Sequence, residues 1–271
     1  MVDTNFAAAI ARDAEPDDST LLIEIGPGTG CLTGALLASH PNVRVLAMEI
    51  DRGLAALLRE TFAEPIAQKR LTLIEGDALS SKHEISPELI KTALEISVAE
   101  NRPRRVLCSN LPYNAATPLL ANMAADASGL GMHSAIATVQ LELAERLFAA
   151  AGDSDYGGLS ALMSLRSDGK IIRRVGGEIF WPRPNVDSAV IKIVFKPWPK
   201  APHAGGLSDP LSRDEAPAFQ QFLQTLFSQR RKMIRSALKP KQIPESLGIS
   251  GDARAETLTP EQLLALFRAI A

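Results

Sequence analysis

The sequence predicts an α/β fold: a mostly parallel twisted sheet with an antiparallel edge strand, followed by a small all-α C-terminal domain. Three observations predict it. Through the first two thirds, short runs rich in Leu, Ile and Val alternate with segments of helical period, the rhythm of a parallel sheet covered on both faces. Two later apolar runs follow each other without a long helix between them. Past a Pro/Gly-rich stretch near residue 200, only helical periodicity remains.

The elements follow in order. LLIEI is a run of strand-favouring aliphatics that stops at a glycine, and LTGALLAS then opens a helix. VRVLAME, LTLIEG, RVLCSN and SAIATVQ are the next strands; GLAALLRETF, SPELIKTALEIS, ATPLLANMAA and LELAERLFAA supply helices between and after them. GKIIRRV and SAVIKIVF read as an antiparallel pair closing one sheet edge. KPWPKAPHAGGLSD is a linker, which places a domain boundary near residue 200, with a sheet domain over 1–198 and a helical domain over 199–271. AFQQFLQTLFSQRRKMIRSAL reads as one long helix. TPEQLLALFRAI is the last, with Thr259 as N-cap and Pro260 at the first helical position.

At 271 residues and 46% hydrophobic, the chain is long enough to bury a large core. Cys31 and Cys108 have no companion at ligand spacing, so neither a disulfide framework nor a metal site is expected, and a reducing cytosol fits. No basic-then-apolar leader opens the chain and no apolar window is long enough to cross a bilayer, so the expectation is a cytoplasmic protein without a membrane partner. The net charge of −2 hides an asymmetry. Residues 166–200 carry eight Lys/Arg against three Asp/Glu, and residues 226–243 carry six against none. Such separation predicts a face for a polyanion; a solvated helix face is the ordinary alternative for QRRKMIR.

EIGPGTG, residues 24–30, runs a strand into three alternate glycines, Gly26, Gly28 and Gly30, so backbone can pass close to a ligand at the carboxyl edge of the sheet. Glycine turns of this kind serve many nucleotides, and the dinucleotide G-x-G-x-x-G is broken here by Cys31 and Thr33. Two acids narrow the choice. Glu49 ends the second strand about 20 residues past the glycines, where a carboxylate can accept both hydroxyls of a ribose. Asp77 ends the third strand in GDAL, where it can accept from an adenine amino group. Either acid alone is more often a cap or turn residue; together, beside the glycine turn, they mark an adenosine pocket. With no P-loop and no phosphate-binding Lys, the pocket suits the sulfonium S-adenosylmethionine better than a triphosphate.

NLPYN, residues 110–114, ends the fourth strand beside that pocket. The exocyclic amine of a base is a poor nucleophile because its lone pair is delocalised. If the Asn110 side-chain oxygen and the Leu111 carbonyl both accept from the amine, its lone pair can turn toward a methyl donor, and catalysis becomes positioning plus electrostatics. Pro112 restricts the turn, and Tyr113 offers a stacking face for a flipped-out base.

These stretches, with EID at 49–51, QLELAERL, YGGLSAL, FWPRPNVDSAV and FSQRRKMIRSAL, make the sequence resemble the KsgA family of small-subunit ribosomal RNA adenine N6,N6-dimethyltransferases, from about Asp3 to at least Leu238. The resemblance implies a Rossmann-like class I methyltransferase fold. It implies an S-adenosylmethionine site built from Glu24, the three glycines, Glu49, Ile50, Asp77, Ala78 and Asn110. It further implies a base held by Asn110, Leu111 and Tyr113, with Phe180 closing over the other face and contributing on the order of 1 to 3 kcal/mol by stacking. Arg183, Arg230, Arg231, Lys232 and Arg235 are the expected RNA contacts. The partner it implies is small-subunit ribosomal RNA in a pre-ribosomal particle, bound by a monomer that makes four methyl transfers to two adjacent adenines. Pro27 and Leu111 stand where erythromycin-resistance methylases usually carry Ser and Ile. The family's basic arm with Q-x-F-L has no counterpart at MVDTNF, so either weaker cofactor affinity or a truncated or misassigned start is expected. The segment 80–105 is longer than expected. Alternatives are an RNA-binding assembly factor whose methyl transfer is dispensable or lost, and an NAD-dependent oxidoreductase. Ser160 lacks the G-x-S-x-G elbow and reads as packing or capping.

Overall fold

The computed structural model describes residues 3–81, 84–180, 186–199, 209–229, 232–238 and 243–270. Its elements are α1 (Thr4–Asp13), β1 (Thr20–Ile25), α2 (Cys31–Ala38), β2 (Arg44–Glu49), α3 (Arg52–Thr61), α4 (Ala63–Ala67), β3 (Leu71–Glu75), β4 (Leu79–Ser81), β5 (Glu84–Ile85), α5 (Pro87–Ala99), β6 (Arg104–Asn110) and α6 (Tyr113–Ala125). There follow β7 (Ser134–Gln140), α7 (Leu141–Leu147), α8 (Gly158–Arg166), β8 (Ser167–Val175), β9 (Ser188–Phe195), α9 (Ala216–Phe227), α10 (Ile234–Ala237) and α11 (Pro260–Ile270).

Seven strands form one sheet in the order β3-β2-β1-β6-β7-β9-β8. The first five run parallel and β9 returns antiparallel to β7, with β8 beside β9 at the sheet edge, so the sheet has the antiparallel edge that the sequence predicts. Every residue of β1 and β2 is buried, which explains why those strands read as continuous apolar runs and not as alternation. Leu22, Val45, Ala47, Val106, Cys108, Ile136 and Val190 point to one face and pack beneath α1 and α2 through Ala7, Ile10, Ala11, Leu32 and Leu36. Strand order reverses between β1 and β6, so the carboxyl ends of β1, β2, β3 and β6 open onto the crevice where ligands bind in open α/β sheets.

Packing divides the chain into two compact units: residues 1–123, 128–144 and 169–194 in one, and 124–127, 145–168 and 195–271 in the other. The division therefore does not follow a single boundary near residue 198. Residues 145–168 cluster with the helical unit because Tyr156 is buried there, donating its hydroxyl to the Leu258 carbonyl at 3.0 Å and meeting Phe227 edge-on. Gly158 fits directly under Leu223.

The helix read over SPELIKTALEIS is borne out, and the long helix read over 218–238 is revised. The long segment 80–105 forms a short antiparallel hairpin, β4 and β5, and then α5, whose Leu89, Ala93 and Ile96 are buried. α5 packs against β1 and is part of the core. Among the described residues, the helix read over 218–238 instead stops at Phe227, and a further single helical turn, α10, is found at Ile234–Ala237. There the backbone turns to bond with another segment: Ile234 N–H donates to the Ala253 carbonyl at 2.8 Å and Arg235 N–H to the Gly251 carbonyl at 3.0 Å. At the other end of this unit, Thr259 and Gln262 cap α11 reciprocally, each bonding the other's backbone N–H.

Candidate active site

The glycine turn starts where β1 ends. Gly26, Gly28 and Gly30 all have φ between +61° and +86°, the left-handed region that L side chains resist. Space adds a second requirement at Gly30, where a Cβ would lie 2.5 Å from Phe62 and 3.0 Å from Leu58. Above Gly28, nothing lies within 4 Å, so its surface is open to a ligand. The turn is fixed by Gly26 N–H donating to the Met48 carbonyl at 2.9 Å and Gly30 N–H to the Pro27 carbonyl at 3.0 Å.

Glu49, at the tip of β2, is 4% exposed. One of its carboxylate oxygens accepts from Gly28 N–H at 2.9 Å and the other from Asp51 N–H at 3.0 Å, which ties the second strand's acid to the glycine turn. Each oxygen keeps a further lone pair. Beside it, Ile50 is 64% exposed, an apolar face at a strand end. Asp77 follows β3, exposed, with one oxygen accepting from Leu79 N–H at 2.9 Å, and Ala78 is buried next to it.

Glu24 behaves differently from the other acids. It is 1% exposed and lies beneath the turn, accepting from the Thr33 hydroxyl at 2.7 Å. Burial pushes its carboxyl up to about 8, and the nearby Glu49 adds to the rise. Glu24 therefore supports the start of α2 from below and presents no surface to a ligand. Thr33 was not anticipated as its partner; the hint was a lone hydroxyl one helical turn into an apolar helix.

NLPYN closes the other side. Asn110, the last residue of β6, is half-buried, and among the described residues its side-chain amide has no hydrogen-bond partner. Leu111 is buried, its N–H donating to the Thr138 carbonyl at 3.1 Å. Pro112 leans on the glycine turn: a Cβ at Gly26 would sit 3.2 Å from its ring. The two motifs, 86 residues apart, are thus in contact. Tyr113 opens α6 with 45% exposure. Phe180, half-buried, ends a 3₁₀ turn over Gly177–Ile179. Among the described residues, neither ring touches another aromatic ring.

Residues of the site that sequence reading did not single out lie on β7 and β9. Pairing puts Thr138 beside Asn110, and Ser188 opposite Gln140. The Thr138 and Ser188 hydroxyls are buried without a partner among the described residues. Polar letters inside the apolar run SAIATVQ were the available signal.

The basic residues are mostly engaged elsewhere. Arg166 is 5% exposed, its guanidinium 3.3 Å from the centre of the Trp198 ring. Arg173 pairs with Asp13, Lys192 with Glu15 at 2.8 Å and Lys196 with Asp168 at 3.5 Å. Of the expected RNA contacts, Arg183, Arg230 and Arg231 lie outside the described residues. Arg235 forms an ion pair with Asp252 at 2.6 Å, and Lys232 is exposed in the turn before α10. Among the described residues no group of His, Cys, Asp and Glu is placed to hold a metal ion, and no helix is long and apolar enough to cross a membrane.

The family model described as "Ribosomal RNA adenine dimethylase" matches residues 1–271. The chain belongs to the ribosomal RNA adenine dimethylase family. Among curated relatives, it is 36% identical over 274 residues to the ribosomal RNA small subunit methyltransferase A of Rhodospirillum rubrum, covering all of this chain and 85% of that protein. It is 34% identical over 277 residues to the protein of the same name from Bifidobacterium longum strain DJO10A, with the same coverage. Among solved structures, it resembles a dimethyladenosine transferase from Plasmodium falciparum, with TM-score 0.69, 21% identity and coverage of 98% of this chain and 95% of that one. It also resembles the 23S rRNA methyltransferase ErmE, with TM-score 0.61, 22% identity and coverage of 99% and 98%. At these identities the two structures speak for the fold, and it is the fold the sequence predicts. In this chain the glycine turn, the two acids and the Asn-Leu-Pro-Tyr turn stand at the carboxyl ends of β1, β2, β3 and β6.

Proposed function

We propose that this member of the dimethylase family transfers methyl groups from S-adenosylmethionine to N6 of two adjacent adenines in small-subunit ribosomal RNA. The observation that carries the reading is the contact of Pro112 with Gly26, which sets an unpartnered amide, Asn110, beside an open glycine turn.

The residues present fit an adenosyl sulfonium. The turn, the tip of β2 and the GDAL segment contain no Lys or Arg that would recruit a polyphosphate. Glu49 retains lone pairs for ribose hydroxyls, Asp77 has an exposed carboxylate for an adenine amino group, and Ile50 and Ala78 give that ring apolar surface. Gly26, Gly28 and Gly30 let the ligand approach backbone, over the buried Glu24. When bound, the cofactor supplies an electrophilic methyl group.

The chain's own residues then orient the acceptor. Asn110 Oδ1 and the Leu111 carbonyl accept the two N–H bonds of the adenine amine, drawing its nitrogen toward sp3 geometry and aiming its lone pair across the gap. Tyr113 and Phe180 stack on the two faces of the flipped-out base, which holds it without reading a base pair. No strong base is needed, because the proton leaves after charge has passed to the nitrogen. Lys232 and Arg235, together with Arg183, Arg230 and Arg231, supply phosphate affinity, and RNA shape supplies selection. We place the reaction in the cytoplasm, on a pre-ribosomal particle, with the enzyme as a monomer making four transfers.

The test is mass spectrometry of precursor small subunits incubated with the protein and S-adenosylmethionine. N6,N6-dimethyladenine is expected. Asn110→Ala should abolish it while RNA binding persists; dimethylation by Asn110→Ala at the wild-type rate would overturn the reading.

A further inference from the structure

The register of β6, β7 and β9 brings four polar side chains onto one face of the sheet at its active end. Asn110 pairs in parallel with Thr138, Thr138 and Gln140 are two residues apart, and Gln140 lies opposite Ser188. Paired residues, and residues two apart, point the same way from a sheet. Among the described residues none of the four side chains has a hydrogen-bond partner, and the hydroxyls of Thr138 and Ser188 are buried at 2% and 1% exposure. A buried hydroxyl without a partner lowers stability, so a polar group kept there calls for an explanation.

Thr138 stands closest to the chemistry in two ways. Its carbonyl accepts the Leu111 N–H at 3.1 Å, and its side chain lies one strand spacing, about 4.8 Å, from Asn110 on the shared face. An amide that turns Oδ1 toward an amine must turn its NH2 the other way, and that NH2 needs an acceptor. Within the strand tip, the Thr138 hydroxyl is an unused acceptor on the correct face.

We propose that Thr138 is a positioning residue: its Oγ1 accepts from Asn110 Nδ2 when the base is seated, and so fixes the amide orientation that presents Oδ1 to the substrate amine. The inference rests on the proposed methyl transfer. Both acceptors for the amine are then set by one residue, Asn110 through the Thr138 side chain and Leu111 through the Thr138 backbone. Without the hydroxyl the amide samples the flipped orientation, in which it offers donors to a donor.

The experiment compares wild type, Thr138→Val and Thr138→Ser for kcat, for KM of S-adenosylmethionine and for thermal unfolding, using precursor small subunits and labelled cofactor. Val keeps the shape and suits a strand; Ser keeps the hydroxyl. We expect Thr138→Val to lower kcat about tenfold with KM for the cofactor unchanged, as loss of one positioning hydrogen bond implies, and Thr138→Ser to stay within about twofold of wild type. A hydroxyl with no task gives the opposite pattern: Thr138→Val raises the unfolding temperature and leaves kcat intact, which overturns the inference alone. If Thr138→Val does not fold, Thr138→Ala must show the same kcat loss. Absence of methyl transfer by wild type overturns the functional reading itself.

Discussion

Under the glycine turn sits a carboxyl that water does not reach. Glu24 has its pKa raised from an ordinary 4.5 to about 8, so between those values the folded protein holds a proton that the unfolded chain has released. Stability contributed by that proton is present below pH 4.5, declines as pH rises toward 8, and is gone above it. Unfolding temperatures measured from pH 5 to 9 should show the decline, and Glu24→Gln should flatten it. At Gly30 the constraint is steric: Gly30→Ala must push Phe62 and Leu58 aside while holding φ at +86°. A loss of about 2 to 4 kcal/mol in denaturant unfolding is expected from overpacking and the left-handed backbone together. The positions of the glycines, Glu49, Asp77 and Asn110 at strand ends were legible because each closes an aliphatic run. The roles of Glu24 and Thr138 were not, because a carboxyl's depth and a hydroxyl's missing partner exist only once strands are in register.

Strands and most helices could be read from aliphatic runs and period. What could not be read was where tertiary bonds override period. The helix predicted over 218–238 ends at Phe227 because the backbone of 234 and 235 bonds to 253 and 251, a competition no local pattern displays. α1 and α8 were not placed from period either; α1 fits Ala7, Ile10 and Ala11 against the sheet face. The ends of α9 and α11 are held by a charge pair within the helical unit. Arg268 donates to both oxygens of Glu215, at 2.8 and 3.0 Å, and Ser212 adds two further bonds. The Arg268 guanidinium and these hydrogen bonds lower the Glu215 pKa to about 2. This stabilisation is complete above the ordinary value of 4.5 and is lost as pH falls toward 2. Glu215→Gln should cost about 2 kcal/mol at pH 7 and shrink the acid-limb slope, read by unfolding at pH 3 and pH 7.

Among the described residues, part of the basic excess of the sequence is drawn into pairs. Arg173, Lys192 and Lys196 are drawn into ion pairs, and Arg166 stacks on Trp198. A count of Lys and Arg therefore overstates the cations available to RNA. Two classes of substitution should separate. Lys232→Ala should weaken RNA binding across sequences and reduce the salt slope of log affinity by about 0.9, since Lys232 has no ion-pair partner among the described residues. Arg173→Ala should leave that slope unchanged and lower the unfolding temperature instead. Filter binding between 50 and 200 mM salt, about the range over which phosphate contacts are exposed, distinguishes them.

The 3.2 Å approach of position 26 to the Pro112 ring has an evolutionary corollary. A lineage that gains a methyl at 26 needs the ring at 112 to give way by a few tenths of an ångström and must also hold the left-handed φ of +66°. Substitutions at 26 should accordingly follow changes at 112 among descendants, so that the glycine turn and the Asn-Leu-Pro-Tyr turn are inherited as one block.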